Sequence, residues 1–555
     1  MSRLQFAQLK WPVRILVGIL IASNLLKCAA APVTAKPNIL VILVDDMGFS
    51  DLGCYGSEIP TPNLDALAKA GLKFTDFRND SRCCPSRATL LTGLYSHAAG
   101  IGHMTDRRKG PNGQPLPGYL GQLNDNCVTI AEVLKTAGYF TAISGKWHVG
   151  QVGDHGVTPW NRGFDRSLNS PAGGFYYPAD QRAELYLNGK AVGRGGMNGV
   201  PKDWYSTDLW TDYGLKFIDE AQTAKQPFFL YLAYNAPHFP VEAPAEDIAK
   251  FRGKYRVGWD KLREARYQRL IQLGIIDKSW PLSPRPPEVK AWESMTPEEQ
   301  DRADHIMAIY AACVSHLDQE IGVLVTGLTK RGLLDNTLIL FMSDNGGNFE
   351  GGPVGEIGGN PPGGPNSHVY CGESWATLEN TPFRRYKHFE HEGGISTPFI
   401  VHWPAGVAAK NKLRQQPGHL IDIMPTCLAV AGAQYPTNFD GHPIHPLAGR
   451  SLVPAFANQP IPRDAIYWEH EGNAAVLQDD WKLVRFQWNG GWELYNVKTD
   501  RTEQRDLSAA QPERVKQLSA LWNTWAKQNN VLPEVHEKFK QFTPNDGYGG
   551  TPPLR

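Results

Sequence analysis

The sequence has no surplus of either charge: 56 Lys and Arg stand against 56 Asp and Glu. Without a basic excess there is no electrostatic footprint for nucleic acid or for an anionic membrane surface. Cysteine is scarce, eight in 555 residues, which rules out a disulfide framework as the main source of order. No internal repeat is found. Long apolar runs are missing apart from one near the N-terminus. Charged residues make up only 20% of the chain, against 41% hydrophobic residues and 16 Trp. That balance excludes a disordered scaffold and fits a globular enzyme. The length can bury a large core and implies more than one structural unit. With 55 Gly and 42 Pro, long loops are expected.

The one long apolar run spans residues 15–26, interrupted only by Gly18, Ser23 and Asn24. Arg3, Lys10 and Arg14 precede it, and small residues follow from Cys28 to Ala31. This layout predicts a cleaved signal peptide over residues 1–31, the run being short for a spanning helix. Export to the periplasm or the cell exterior is therefore expected, through the export machinery, with no membrane segment left after cleavage. Leu25-Leu26-Lys27-Cys28 has a weak likeness to a lipoprotein cleavage site, which would anchor Cys28 to lipid; Lys27 fits that pattern badly. In an oxidising compartment Cys54, Cys127, Cys313, Cys371 and Cys427 either pair or stay buried. Cys83 and Cys84 are neighbours, and a bond between them would be strained.

Asn38–Val44 is a nearly continuous apolar, β-rich run, the pattern of a strand covered on both faces in a parallel sheet. It ends at Asp45-Asp46. Residues 338–342 repeat the design and end at Ser343-Asp344-Asn345. Residues 228–234 do so again, before Asn235-Ala236-Pro237-His238. These runs alternate with helical stretches at 63–70, 130–137 and 303–328. The alternation predicts an α/β fold with a mixed, mostly parallel central sheet sandwiched by helices. Polar residues just past such strands belong at the carboxyl edge, where open α/β sheets place their sites. From about Pro454 the pattern changes to short runs at 465–469, 474–477, 481–486 and 492–496, which predict a small antiparallel sheet. Residues 513–528 read as an amphipathic helix packed on it. The chain thus divides into the signal peptide, a catalytic domain over 32–453 and a C-terminal α+β subdomain over 454–555. The Gly- and Pro-rich stretch 346–365 is expected to be a long loop near the sheet edge.

Asp45, Asp46, Asp344 and Asn345 are hard oxygen donors. They suit Ca²⁺ or Mg²⁺, whereas zinc sites favour His and Cys. They follow two strands far apart in sequence, which a parallel sheet can bring together.

Cys83-Cys84-Pro85-Ser86-Arg87, continuing through Leu90-Leu91-Thr92-Gly93, resembles the sulfatase signature Cys-x-Pro-Ser-Arg followed by Leu-Thr-Gly. Gly138 to His148 resembles the second signature of that family. The resemblance runs from about Pro37 to residues 494–496. Thr381-Pro382-Phe383-Arg384-Arg385-Tyr386-Lys387, Ala99-Gly100-Ile101-Gly102 and Phe341 to Gly346 bring it closest to bacterial arylsulfatases. It implies an alkaline phosphatase-like fold and an enzyme that hydrolyses sulfate monoesters. It implies that a formylglycine-generating or equivalent maturation enzyme converts Cys83 to formylglycine. Hydrated, that aldehyde offers two hydroxyls on one carbon: one attacks sulfur, and the other then expels sulfate. The resemblance further implies one Ca²⁺ held by Asp45, Asp46, Asp344, Asn345 and an oxygen of modified Cys83. Arg87 would hold the hydrated aldehyde, and Lys146 and Lys387 would contact sulfate oxygens. His148 would take the hydrate's proton, and His238 would give one to the leaving oxygen.

Two other readings stand beside this one. A phosphatase or phosphodiesterase of the same superfamily often holds two zinc ions and has Asp-His-Gly where this chain has Asp344-Asn345-Gly346. A non-catalytic binding protein would have lost polar site residues that are all present here. The substrate, whether aryl, alkyl or carbohydrate sulfate, depends on loops expected at 171–205 and 346–379. An N-glycosylation sequon, Asn79-Asp80-Ser81, lies beside Cys83, where a glycan would obstruct the site.

Overall fold

The computed structural model describes residues 36–110, 112–150, 156–487 and 490–531. The signal-peptide expectation and Cys28 lie outside them. Strand β1 (Asn38–Val44) is buried at every position. Leu40, Ile42 and Val44 enter one core, while Ile39, Val41 and Leu43 enter another on the opposite face. Side chains alternate along a strand, so an unbroken apolar run is what a strand between two helical layers requires.

Around β1 stands a ten-stranded sheet. Its other strands, in chain order, are β2 (Leu72–Phe74), β3 (Phe140–Lys146), β4 (Arg166–Ser170), β5 (Leu185–Leu187), β6 (Lys190–Gly193), β7 (Phe228–Ala233), β8 (Thr337–Ser343), β9 (Phe399–His402) and β10 (Lys412–Arg414). The spatial order is β10-β2-β9-β8-β1-β7-β3-β4-β5-β6. The central run β8-β1-β7-β3-β4 is parallel throughout. Strand β9 is antiparallel to both its neighbours, and β5 is antiparallel to β4 and β6. The expected mixed, mostly parallel sheet is therefore present.

Among the helices are α1 (Pro62–Ala70), α2 (Cys83–Thr92), α3 (Ile130–Thr136), α4 (Ser206–Ala224) and α5 (Pro297–Lys330). Helix α5 starts earlier than its apolar periodicity suggests. Thr296 caps it in a reciprocal box with Glu299, and Pro297 occupies the first turn. No helix among the described residues is long and apolar enough to cross a membrane.

Near the C-terminus β11 (Ile466–His470), β12 (Asn473–Gln478), β13 (Trp481–Arg485) and β14 (Trp492–Asn496) form an antiparallel sheet. Helix α6 (Pro512–Gln528) lays Leu518, Trp522 and Trp525 on Ala474, Val476, Leu483 and Leu494. The opposite face meets Ile395. Trp468 Nε1 donates to Asn79 O at 2.8 Å, so this sheet is tied to the segment leading into α2.

Two loop expectations change. Residues 171–205 contain β5 and β6, which extend the main sheet. Within 346–365 the strand Glu356–Gly358 pairs with His368–Tyr370, and Gly372–Glu379 beyond it is a helix. The missed strands are three or four residues long with one or two apolar anchors, such as fully buried Leu185 and Val192. A period of two does not stand out over so few residues. Cys54, Cys83, Cys84, Cys127, Cys313, Cys371 and Cys427 are all free and buried.

Candidate active site

The registers of β8, β1, β7 and β3 set the site. Val44 of β1 is level with Ser343 of β8. Leu43 is level with Ala233 of β7, and Ala233 with Gly145 of β3. Four adjacent strands therefore end together, and the chain leaves them as Asp45-Asp46, Asp344-Asn345, Asn235 to His238 and Lys146 to His148. Gly145 is required where β3 meets β7. Its φ is +124°, and a Cβ there would sit 1.9 Å from Ala233 O.

Helix α2 brings the cysteine. Pro85 fits its first turn because the leading N–H groups of a helix have no intrahelical partner. Gly93, in the left-handed region, closes the other end with its N–H on Thr89 O. Cys83 is the first helical residue, where the helix dipole favours negative charge. Arg87 follows four residues later, on the same face.

All three expected bases pair with the three expected carboxylates. Lys146 Nζ lies 2.6 Å from Asp45 Oδ2, and Lys387 Nζ 2.6 Å from Asp46 Oδ1. Arg87 donates through Nη2 and Nε to Asp344 Oδ2 at 2.8 and 3.0 Å. Its Nη1 donates to Lys146 O at 3.0 Å, which joins α2 to the end of β3. Lys387 is buried, 1% exposed. Asp344 Oδ1 accepts the Asp46 N–H at 3.3 Å, and Asn345 Nδ2 donates to Asp46 Oδ1 at 2.7 Å. The two acidic pairs thus meet as expected.

After these bonds, Asp45 Oδ1, Asp46 Oδ2 and Asn345 Oδ1 remain buried with no donor. Buried acceptors without a donor are rare in folded proteins. A set of hard oxygens gathered from two strand ends is what a divalent cation such as Ca²⁺ satisfies. The side chains therefore fit a metal. Electrostatics agree. Burial and neighbouring Asp45 push the Asp344 carboxyl well above the usual range, against Arg87 and Lys146. Burial also raises Asp45, but Lys146, His238 and Arg87 outweigh it and hold that carboxyl low.

A hydrogen bond with Cys84 holds the Cys83 thiol well below its ordinary value, and Lys146 and His148 add to this against burial. Burial pushes Cys84 the other way. His148 hydrogen-bonds Cys83, and burial with nearby Lys146 keeps its imidazole below the usual value. A ring nitrogen of His148 and the two thiol sulfurs all lie within 4.8 Å of one another. His238 has Nδ1 2.5 Å from Phe239 O and Nε2 3.7 Å from Asp46 Oδ2. Burial lowers its pKa to about 4, although Asp46 and Asp45 act to raise it.

The motifs leave three neighbours unmarked. The Phe239 ring lies under Lys387 Nζ at 5.0 Å. Buried Glu350 lies 3.6 Å from Arg82, which directly precedes Cys83. A lone Phe, Glu or Arg carries no spacing signal; only adjacency to His238 and Cys83 pointed to Phe239 and Arg82. The sequon is closed off. Asn79 is fully buried and its Nδ2 donates to Ser343 O.

A family model described as sulfatase matches residues 37–433. Another, described as the C-terminal part of N-sulphoglucosamine sulphohydrolase, matches residues 384–529. An uncharacterized sulfatase of Schizosaccharomyces pombe is 34% identical over 537 residues, covering 90% of this chain and 94% of the relative. An arylsulfatase of Klebsiella aerogenes is 34% identical over 447 residues, covering 75% of this chain and 91% of the relative. The solved structure of Ps i-CgsB in complex with k-i-k-neocarrahexaose superposes with a TM-score of 0.65 at 29% identity, covering 91% of this chain and 96% of that one.

Proposed function

The chain belongs to the sulfatase family, as a type I sulfatase of the alkaline phosphatase-like superfamily and a sulfuric ester hydrolase, and from that premise we propose that it cleaves sulfate monoesters through formylglycine made from Cys83, with Ca²⁺ as its metal. What carries this reading is the placement of Cys83 at a helix N-terminus beside His148, within the field of Lys146, Asp45 and Asp344. The oxygens without donors on Asp45, Asp46 and Asn345 support the cation.

Asp45, Asp46, Asp344 and Asn345 would hold the cation, which when bound supplies Lewis-acid polarisation of a sulfate oxygen. The hydrated aldehyde at position 83 supplies the attacking hydroxyl. Arg87, fixed by Asp344 and by Lys146 O, orients that group. Lys146 and Lys387 offer ammonium donors to sulfate oxygens. His238 Nδ1 faces a carbonyl and keeps its own proton, so Nε2 delivers one to the departing oxygen only from the doubly protonated imidazolium, the form that Asp46 and Asp45 favour against burial. His148 takes the proton that leaves when sulfate is released. The three bases balance the three carboxylates, so a bound divalent cation makes the site positive and draws in a sulfate monoanion.

Activated aryl sulfates serve as test substrates. The likeness to Ps i-CgsB, solved with k-i-k-neocarrahexaose, favours a sulfated carbohydrate as the natural one. Export is part of the same proposal, with residues 1–31 removed; Edman sequencing of the protein recovered outside the cytoplasm should begin near residue 32. The enzyme co-expressed with a maturation enzyme should hydrolyse a chromogenic aryl sulfate and release sulfate from a panel of sulfated glycans. Cys83→Ala should do neither. A Cys83→Ala variant as active as the parent would refute the nucleophile.

A further inference from the structure

Beside the sulfate-binding residues lies a second cluster, and we propose that His388, His470 and Glu471 form a zinc-binding site distinct from the oxygen-lined one. Their ligand atoms all lie within 4.8 Å of one another. Glu471 Oε2 is 3.1 Å from His388 Nε2, and Glu471 Oε1 is 3.6 Å from His470 Nε2. Ligands about 2.1 Å from one tetrahedral ion lie about 3.4 Å apart, so small side-chain rotations close the set.

The local fold builds this geometry. His470 ends β11, and Glu471-Gly472 turns the chain into β12, both in the left-handed region at φ 49° and 89°. The turn sets the Glu471 carboxylate beside the His470 ring. His388 sits in the loop just after Lys387, at φ 85°. Its N–H donates to Ser81 O at 2.8 Å, and its carbonyl accepts from Asn473 Nδ2 at 3.0 Å, which ties loop to hairpin.

The second observation concerns His470 itself. It is 0% exposed, and neither ring nitrogen has a hydrogen-bond partner. A buried imidazole with unpaired nitrogens needs an explanation; a metal ion would take up Nε2, the nitrogen that lies 3.6 Å from Glu471 Oε1. Outer contacts fit as well. His103 Nε2 pairs with Glu471 Oε1, while His103 Nδ1 lies 3.0 Å from Asp106 Oδ1. A carboxylate–histidine pair of this kind commonly orients a metal ligand. The His103 ring also stacks on that of His470 at 5.7 Å. Two imidazoles and one carboxylate suit Zn²⁺ rather than Ca²⁺. The Glu471 side chain is 31% exposed, which gives the ion a path from solvent and leaves a coordination position open. The ion would clasp the β11–β12 hairpin to the loop that carries Lys387.

The test is a Zn²⁺ titration of the full chain, stripped of transition metals and saturated with Ca²⁺, against a chromogenic zinc chelator. One equivalent should bind. His470→Ala and Glu471→Gln should each weaken it at least about 100-fold, and His103→Ala about 10–100-fold. Asp45→Asn should leave the equivalent intact, which separates this site from the oxygen-lined one. Should His470→Ala fail to fold, the near-isosteric Glu471→Gln carries the comparison. No saturable zinc in the parent protein, or an equivalent retained in Glu471→Gln, overturns the proposal.

Discussion

His238 and His148 both neighbour charged groups, but the roles proposed for them part at the leaving group. A nitrophenolate departs without a proton, whereas a sugar alkoxide needs one. General acid catalysis is typically worth about 10²–10⁴-fold. His238→Ala should therefore cost little with an activated aryl sulfate and about 10²-fold or more with a sugar sulfate. His148→Ala should slow all substrates alike and leave sulfate on the Cys83 peptide under turnover. Steady-state rates over a leaving-group series, with mass spectrometry of that peptide, check both. Equal losses for His238→Ala across the series would leave it a binding or structural residue. At this scale much of the candidate site was legible, because Cys83, Arg87, Lys146 and His148 stand in fixed motifs and Asp45, Asp46, Asp344 and Asn345 end buried strands. The partners were not. Nothing in the order of residues says that Lys387 reaches Asp46, 341 positions away, or that Glu471 meets three histidines.

Elements show the same divide. Strands β1, β7 and β8 were legible because burial on both faces demands unbroken apolar runs. β5 and β6 were not, since short strands at the sheet's margin, anchored by Leu185 and Val192, need so little apolar surface. Gly145 carries an element-scale prediction. Gly145→Ala drives a Cβ against the Ala233 carbonyl between β3 and β7, so it should cost about 1–3 kcal/mol in denaturant unfolding. It should also lower turnover, because Lys146 and His148 follow directly. His316 on α5 offers a pH test. Burial lowers its pKa, but bonds to Asp208 on α4 and to Asp247 outweigh this and lift it to about 9. Its folded value is raised, so its contribution is full below the unfolded value of about 6.5 and fades as pH rises through about 9. His316→Gln should destabilise the protein at pH 6 and make little difference at pH 10. A gap between parent and variant that stays constant with pH would contradict this.

For the whole molecule, a chain of zero net charge gathers three bases and three carboxylates into one balanced cluster where the central strands end level, so the proposed cation would make that site positive. The same convergence links metal to stability. The proposed Ca²⁺ would bind only when the ends of β1 and β8 are adjacent, so it should stabilise the fold by about 2.7 kcal/mol at one hundred times its Kd and raise the melting temperature with concentration. Asp46→Asn should largely abolish that dependence in scanning calorimetry, and a melting temperature indifferent to Ca²⁺ would sink the oxygen-site assignment. The most direct test of the chemistry is mass spectrometry of the tryptic peptide Cys83 to Arg87 from enzyme that turns over an aryl sulfate. The expected result is an aldehyde oxygen in place of the thiol at Cys83, with Cys84 still a thiol. Two unmodified thiols in fully active enzyme, or the aldehyde at Cys84, would contradict it.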